Sequence, residues 1–303
     1  MQYQWVKTKY GTSSRSSITS SISSRNSLTR KPIDAMINTM KISFLILLFG
    51  SILGCSSYNR IIKSDDYTAK FEEANRLFDI KKYDRSVALY EQVYQRSPKT
   101  PQGEVSYYRL GKACYFIEDW YMASYYLTSF QTKFPYSAKV EETLFLASIC
   151  AVQNSPESSL DQNETELALI ELQGFVTRFP NSERVDTCNL IMDKLRFKLE
   201  YKDILNIRLY SKTENYRAAT VTAELFLENY PRSTFREEIG VILVRNSYLL
   251  TSNSIDSKLE DRKVKTKQRI EQFVAEFPNS TYLREFEKLT EKLNGITVPS
   301  TNE

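Results

Sequence analysis

Few side chains in this sequence could carry out covalent or metal chemistry. Histidine, the commonest general base and metal ligand, is absent from the 303 residues. The chain has no glycine-rich phosphate loop and no nucleophile elbow, and paired acids such as Asp65 and Asp66 suit the start of a helix. We therefore expect neither enzymatic activity nor a metal or cofactor site, and the remaining chemistry falls on four cysteines.

The first cysteine, Cys55, ends a short apolar run. Residues 42–54 read ISFLILLFGSILG and follow Lys41, and this run is shorter than the about 20 residues of a membrane-spanning helix. The order of basic residue, apolar run, small residue and cysteine resembles the bacterial lipobox. This resemblance implies a signal peptide over residues 40–54, with diacylglycerol and an amide-linked acyl chain on Cys55. The alternative is a buried helix that ends at Gly54.

A tract rich in Ser, Thr and Arg, residues 1–39, precedes this signal and has no apolar periodicity. We interpret it as an over-extended gene start, with translation beginning at Met36 or Met40, or else as a disordered extension. Residues 1–54 hold seven basic side chains and one acid, so the rest of the chain has a net charge of −2, against +4 for the whole. This charge argues against a nucleic-acid-binding protein.

Residues 55–64 are predicted to form a lipidated linker. Ser56 is the kind of residue that sorts a lipoprotein to an outer membrane, and no acidic cluster follows that would direct surface export. We therefore expect a lipid-anchored protein on the periplasmic face of the outer membrane. The other cysteines, Cys114, Cys150 and Cys188, lie in apolar helical patterns without metal-like spacing, and we expect them to be buried free thiols rather than a disulfide.

A proline recurs along the chain at intervals of 37, 45, 51 and 47 residues. Each one should end a helix, because proline lacks an N–H and clashes with the preceding turn. Apolar residues five and eight positions earlier, and mostly small ones twelve earlier, fall on one helix face. A hydroxyl residue two positions later is suited to cap the next helix. The prolines are Pro98, Pro135, Pro180, Pro231 and Pro278, and the hydroxyl residues are Thr100, Ser137, Ser182, Ser233 and Ser280.

This pattern resembles the tetratricopeptide repeat, a helix–turn–helix unit. The second copy fits best, through Tyr107, Leu110, Gly111, Ala123, Leu127, Phe130 and Pro135. The resemblance implies an all-α solenoid of about five helix pairs, from about Asp65 to Pro278, with a capping helix over Thr281–Leu293. Residues 65–152 are predicted to hold the first two repeats and the first helix of the third, and residues 153–164 a polar insertion loop. Residues 165–293 are predicted to hold the remaining repeats and the capping helix, and residues 294–303 a disordered tail. A second insertion should lengthen the helix across residues 183–210.

The repeat register also predicts a concave binding groove, since the first helix of each such repeat lines the inner surface. That groove would be rich in Phe and Tyr, with Lys112 near its middle to meet a ligand carboxylate. The alternative is that these aromatic residues only pack between neighbouring repeats. The predicted groove residues are Thr68, Phe71, Asn75 and Phe78, then Val105, Tyr108, Lys112 and Tyr115, then Glu142, Phe145 and Ile149.

A lipobox followed at once by such repeats resembles the BamD family of outer-membrane β-barrel assembly lipoproteins, over roughly residues 55–293. The resemblance implies docking to the barrel subunit BamA through the C-terminal repeats. It also implies that the N-terminal repeats meet the C-terminal segments of unfolded outer-membrane proteins, which often end in an aromatic residue. The alternatives are another periplasmic adaptor lipoprotein with tetratricopeptide repeats, or a nutrient-binding lipoprotein of that kind.

Overall fold

The computed structural model describes residues 57–296, which are helical almost throughout. Within this range consecutive helices pack against each other in hairpin pairs, and this confirms the predicted all-α solenoid of five helix pairs with a C-terminal capping helix. The helices are α1 (Tyr67–Asp79), α2 (Tyr83–Arg96), α3 (Pro101–Phe116), α4 (Trp120–Lys133), α5 (Val140–Asn154), α6 (Asn163–Arg178), α7 (Val185–Lys212), α8 (Tyr216–Asn229), α9 (Arg236–Ser252), α10 (Asp256–Glu276) and α11 (Leu283–Asn294).

Several sequence predictions fall outside the described residues. They concern the extension 1–39, the signal peptide 40–54, the lipidated Cys55, and residues 297–303 of the predicted tail. Inside the described range, residues 57–63 of the predicted linker are helical.

The repeat prolines end helices as predicted. Each follows the residue that forms the C-terminal cap, and in the last four repeats that cap is aromatic. Its ring packs on the ring four residues earlier, at centroid distances between 4.8 and 5.4 Å. Such a pair contributes about 0.5–1.5 kcal/mol beyond its burial. The pairs are Phe130–Phe134, Phe175–Phe179, Phe226–Tyr230 and Phe273–Phe277.

The predicted capping role is right for one hydroxyl residue and wrong for the other four. Thr100 is the N-cap of α3, and its hydroxyl accepts the N–H of Gly103 at 3.0 Å. In the later repeats the serine accepts the N–H only two residues ahead, because an extra turn separates it from the helix. These serines are Ser137, Ser182, Ser233 and Ser280, and the N-caps that follow them (Lys139, Arg184, Phe235 and Tyr282) make no side-chain cap.

The small residue of each repeat lets helices approach closely. All five are at most 1% exposed, which confirms their predicted place inside the helix pairs. The first helices of successive repeats also touch each other, in the pairs α1–α3, α3–α5 and α7–α9, and α9 touches the capping helix α11. The small residues are Ser86, Ala123, Ala168, Ala219 and Thr266.

The first insertion connects the two helices of the third repeat, and the second lies in the first helix of the fourth. The loop covers residues 155–162, two residues shorter at each end than predicted, because α5 and α6 extend into the polar stretch. The second insertion makes α7 28 residues long, as expected. Lys198 of α7 donates to the hydroxyl and the carbonyl oxygen of Ser155 at 2.7 and 3.2 Å, and Lys202 donates to the carbonyl of Ser159 at 2.9 Å. The long helix therefore holds the inserted loop against the solenoid.

Candidate binding surface

The predicted groove residues come from three adjacent helices. Thr68, Phe71, Asn75 and Phe78 lie on α1, and the other predicted residues lie on α3 and α5. Because α3 touches both α1 and α5, the predicted residues lie on neighbouring helices. Most of them are half-buried, so each has area left for a ligand while also packing on its neighbours.

Lys112 lies at the centre of this surface but is not free. Its Nζ donates to Glu142 Oε1 at 2.9 Å and to the hydroxyl of Tyr108 at 3.1 Å. The Tyr108 hydroxyl in turn donates to Glu142 Oε2 at 2.6 Å. The three side chains close a hydrogen-bonded ring that joins the second repeat to the third. A ligand carboxylate at Lys112 would therefore compete with Glu142.

The ring also fixes the charges of its members. Burial disfavours the charged forms, but the hydrogen bonds from Tyr108 and Lys112 outweigh it and hold the pKa of Glu142 below its ordinary value. Burial by itself would lower the pKa of Lys112, but the hydrogen bonds to Glu142 and Tyr108 outweigh it and raise the pKa above its ordinary value. Both groups are thus charged across the neutral range.

Arg109 joins the first two repeats and was missed by the register argument. Its guanidinium lies 5.0 Å from the centre of the Phe78 ring, and its Nη1 donates to Asn75 Oδ1 at 3.1 Å and to Asp79 Oδ1 at 3.3 Å. The Tyr90 hydroxyl also donates to Asn75 Oδ1, at 2.8 Å. The repeat register assigned Tyr108, the neighbour of Arg109 in sequence, to the groove. The link from Arg109 to the first repeat is visible only in its contacts with α1.

The aromatic residues of the predicted groove have partners within the chain. Phe145 packs on Phe175 at 5.6 Å, and the Arg184 guanidinium lies 5.2 Å from its ring centre. Phe78 lies against Phe116 at 6.1 Å, and Tyr115 packs edge-on to Trp120 at 5.4 Å. Packing between repeats, the alternative interpretation, thus accounts for part of the aromatic content. Ligand binding at this surface stays a prediction.

The same cross-repeat pairing continues along the first helices of the C-terminal half. Arg208 of α7 makes a two-pronged contact with Glu238 of α9 at 2.7 and 2.8 Å. Arg245 of α9 contacts Glu285 of the capping helix at 2.7 Å through both prongs. These half-exposed charge pairs connect neighbouring repeats.

A cleft of about 820 Å³ opens between α8, α9 and α10. Its walls include Leu227, Phe277 and the buried ring of Phe273, and charged groups surround them. At its rim the Arg236 guanidinium binds Glu276 at 2.6 and 3.0 Å. The arrangement offers a partner an apolar floor with a charged border.

In residues 57–296 no group of three or more His, Cys, Asp or Glu side chains is placed to hold a metal ion. None of the helices in this range combines the length and the apolar character that crossing a bilayer requires. The three thiols are free and buried, as predicted, and burial raises the pKa of Cys114 and of Cys150 to about 12.

Comparison with known proteins places the chain among outer-membrane lipoproteins. It is 25% identical over 219 residues to outer membrane protein assembly factor BamD of Rickettsia prowazekii, an alignment that covers 69% of this chain and 84% of that protein. The BamD of Caulobacter vibrioides is 24% identical over 223 residues, covering 70% and 71% respectively. The model of the YfiO family, described as outer membrane lipoprotein, matches residues 63–259, which include α1 to α9. Because this match covers more than half of its length, the chain belongs to the YfiO family of outer membrane lipoproteins.

Proposed function

We propose that this protein is a non-enzymatic scaffold for the assembly of β-barrel proteins in the outer membrane. The observation that carries the proposal is the family match over residues 63–259, together with two relatives named as outer membrane protein assembly factors. The work of such a scaffold is binding and positioning. A solenoid suits it, because stacked repeats present long, extended surfaces.

The anchor in this proposal is the lipid on Cys55. The lipobox-like order of residues 41–55 and the family description support it. Two or more acyl chains bind a membrane stably, since each buried methylene contributes about 0.8 kcal/mol. The helical repeats then lie at the periplasmic face, within reach of newly exported chains.

The substrate site in this proposal is the concave surface of the first three repeats. A C-terminal segment of an unfolded outer-membrane protein brings an aromatic side chain and a free carboxylate. The half-buried rings of Phe71 and Tyr108 offer apolar area for the aromatic side chain. The ammonium group of Lys112, which is paired with Glu142, offers a positive charge for the carboxylate. Displacing Glu142 makes the carboxylate contact modest in strength, which suits a substrate that must be released.

The C-terminal repeats are the proposed docking surface for a BamA-like barrel subunit. The cleft between α8 and α10 supports this assignment, because it joins partly buried apolar walls to a charged rim, the composition of protein–protein interfaces. Glu228 at the rim is exposed and is the residue of choice for a charge reversal.

The test is co-purification from outer membranes in mild detergent, followed by mass spectrometry. We expect a large β-barrel protein with periplasmic repeat domains to co-purify with the chain. The Glu228→Arg variant should lose that partner, whereas Glu166→Arg, an exposed charge reversal on α6, should keep it. Cys55→Ala should abolish recovery in the membrane fraction. Recovery of other envelope proteins without a barrel protein would instead identify an envelope adaptor.

A further inference from the structure

Two equivalent turns, in the first and second repeats, each expose an isoleucine side chain to solvent. Ile80 ends α1 and Ile117 ends α3, and the next residues, Lys81 and Glu118, have positive φ angles of 61° and 62°. The fourth repeat makes the same turn, with Glu214 at φ 60°, but there the residue that ends the helix is Thr213. Isoleucine is therefore not required by this turn.

Aromatic side chains lie next to these isoleucines along the chain and connect the two turns. The rings of Tyr83 and Phe116 stack at 4.6 Å and so bridge the two turns. We define the edge patch as Ile80, Phe116, Ile117 and Tyr121, which are 47%, 44%, 41% and 66% exposed. Single exposed apolar residues are ordinary on a protein surface, but a connected group marks an interaction site.

The chemistry around the edge patch is that of a membrane interface. Trp120 and Tyr83 are half-buried beside it, and such aromatic side chains favour the headgroup level of a bilayer. Lys81 and Lys82 are exposed at the first turn, where their stems can lie along apolar surface while the ammonium groups reach phosphates.

Two of the acidic groups nearby already have partners. The Asp119 carboxylate accepts the N–H of Met122 at 3.2 Å, and Asp79 pairs with Arg109 at 3.3 Å. The two lysines are thus balanced by Glu118 and these partnered acids, so the surface has no strong net charge. This balance fits a zwitterionic leaflet better than an anionic one.

The position of the edge patch agrees with a lipid anchor on Cys55. Cys55 lies twelve positions before Tyr67, the first residue of α1, and residues 57–63 between them are helical, so this segment spans at most about 30 Å. Helix α1 has 13 residues and a length of about 20 Å, and its far end carries Ile80. A membrane that holds the acyl chains therefore lies within reach of the edge patch.

We propose that the edge patch inserts into the headgroup region of the membrane that holds the lipid anchor, as a second and non-covalent contact. This inference goes beyond the proposed scaffold function and takes from it only the tether at Cys55. Insertion to about 5–10 Å would place Ile80 and Ile117 at the boundary of the acyl chains. The two contacts together would fix the orientation of the N-terminal repeats relative to the membrane.

A natural reporter makes the proposal testable. The chain has two tryptophans, Trp5 and Trp120, so residues 55–303 contain only the one beside the edge patch. The chain of residues 55–303 is coupled through Cys55 to a maleimide lipid in phosphatidylethanolamine–phosphatidylcholine vesicles. The other three thiols are buried, so coupling is selective, and it does not depend on acylation in the cell. Fluorescence is then compared with and without bromine on the lipid acyl chains, and flotation of the vesicles measures attachment.

The test variant is Ile80→Thr with Ile117→Thr, which copies the fourth repeat. The matched control is Val221→Thr with Leu225→Thr, at positions on α8 that are 48% and 49% exposed. We expect brominated lipids to quench Trp120 in the wild-type chain and in the control, and the test variant to lose this quenching while it floats equally and keeps its helicity.

Either of two results would overturn the proposal. The first is a Trp120 emission that brominated lipids do not change in the wild-type chain although the protein floats with the vesicles. The second is quenching that persists unchanged in the test variant. A Trp120 emission that changes when a protein partner is added, but that brominated lipids do not change, would overturn membrane insertion and assign the edge patch to a protein. Failure of acylation at Cys55 in cells would count against the proposed anchor alone.

Discussion

Replacing Glu142 with glutamine should strengthen the binding of a peptide carboxylate at the proposed substrate site of the first three repeats. In the free protein Glu142 occupies the ammonium group of Lys112 at 2.9 Å, so a ligand carboxylate must displace it or share it. Glutamine keeps an amide oxygen that can accept the Tyr108 hydroxyl but removes the competing charge. The substitution therefore frees Lys112 for the ligand.

The size of the effect follows from the exposure of the pair. A hydrogen bond to a charged group contributes about 1.5–3 kcal/mol when it is well buried. Here the two side chains are 21% and 34% exposed, which brings the value toward the about 1 kcal/mol of exposed pairs. Release of that competition corresponds to about a fivefold gain in affinity.

The assay is a fluorescence anisotropy titration with a peptide that ends in phenylalanine. The peptide is used with a free C-terminal carboxylate and, as a ligand-side control, with a C-terminal amide. We expect the acid form to bind more tightly than the amide to the wild-type chain, and the difference to grow about fivefold in Glu142→Gln. Lys112→Met should remove the difference. Equal affinities for acid and amide in both the wild-type chain and Glu142→Gln would refute the role assigned to Lys112.

The same substitution has a cost in stability that depends on pH. Because the fold lowers the pKa of Glu142, its ionised form stabilises the folded state, and this contribution is complete above the unfolded pKa of about 4.3. It disappears as the pH falls through the lower, folded pKa. We therefore expect Glu142→Gln to lower the free energy of unfolding by about 1 kcal/mol at neutral pH, and the two proteins to converge in acid.

Two further predictions concern the packing and the turns. Alanine at Gly240 would place a Cβ 2.8 Å from the buried Phe273 ring, so Gly240→Ala should lower the free energy of unfolding in urea by about 1 kcal/mol. Gly174 on α6 has open space around it, so Gly174→Ala should raise that free energy by about the same amount. Equal effects of the two alanines would contradict the close approach of α9 and α10. Lys81→Gly should raise the free energy of unfolding by up to about 1 kcal/mol, because lysine is strained at φ 61°. Its neighbour Lys82 has φ −88°, so Lys82→Gly should give no gain, and a gain there would argue against relief of strain.

Much of the fold was predictable because its signals are local. Proline cannot continue a helix, so Pro135 and its equivalents marked the helix ends directly. The small residues such as Ala123 and Ala168 were placed correctly because one residue per repeat must allow close approach. The capping role predicted for the later serines was wrong for a reason that is also local. The turn after each later proline is two residues longer, so the helix begins after the serine has been passed.

The sequence alone could place Lys112 and Glu142 on one surface, but not join them. They are 30 residues apart, and their contact depends on how the second repeat stacks on the third. The reach of Arg109 to Asn75 on α1 and the stacking of Tyr83 on Phe116 depend on the same inter-repeat geometry. The positive φ angle at Lys81 has no sequence signal at all, since neither glycine nor asparagine occupies the position. Local chemistry thus determined the helices, their register and the cysteine at the end of the apolar run. Only the packing of repeat upon repeat decided which charges are already paired and which apolar side chains remain exposed, because those outcomes depend on distances between segments that the chain order does not contain.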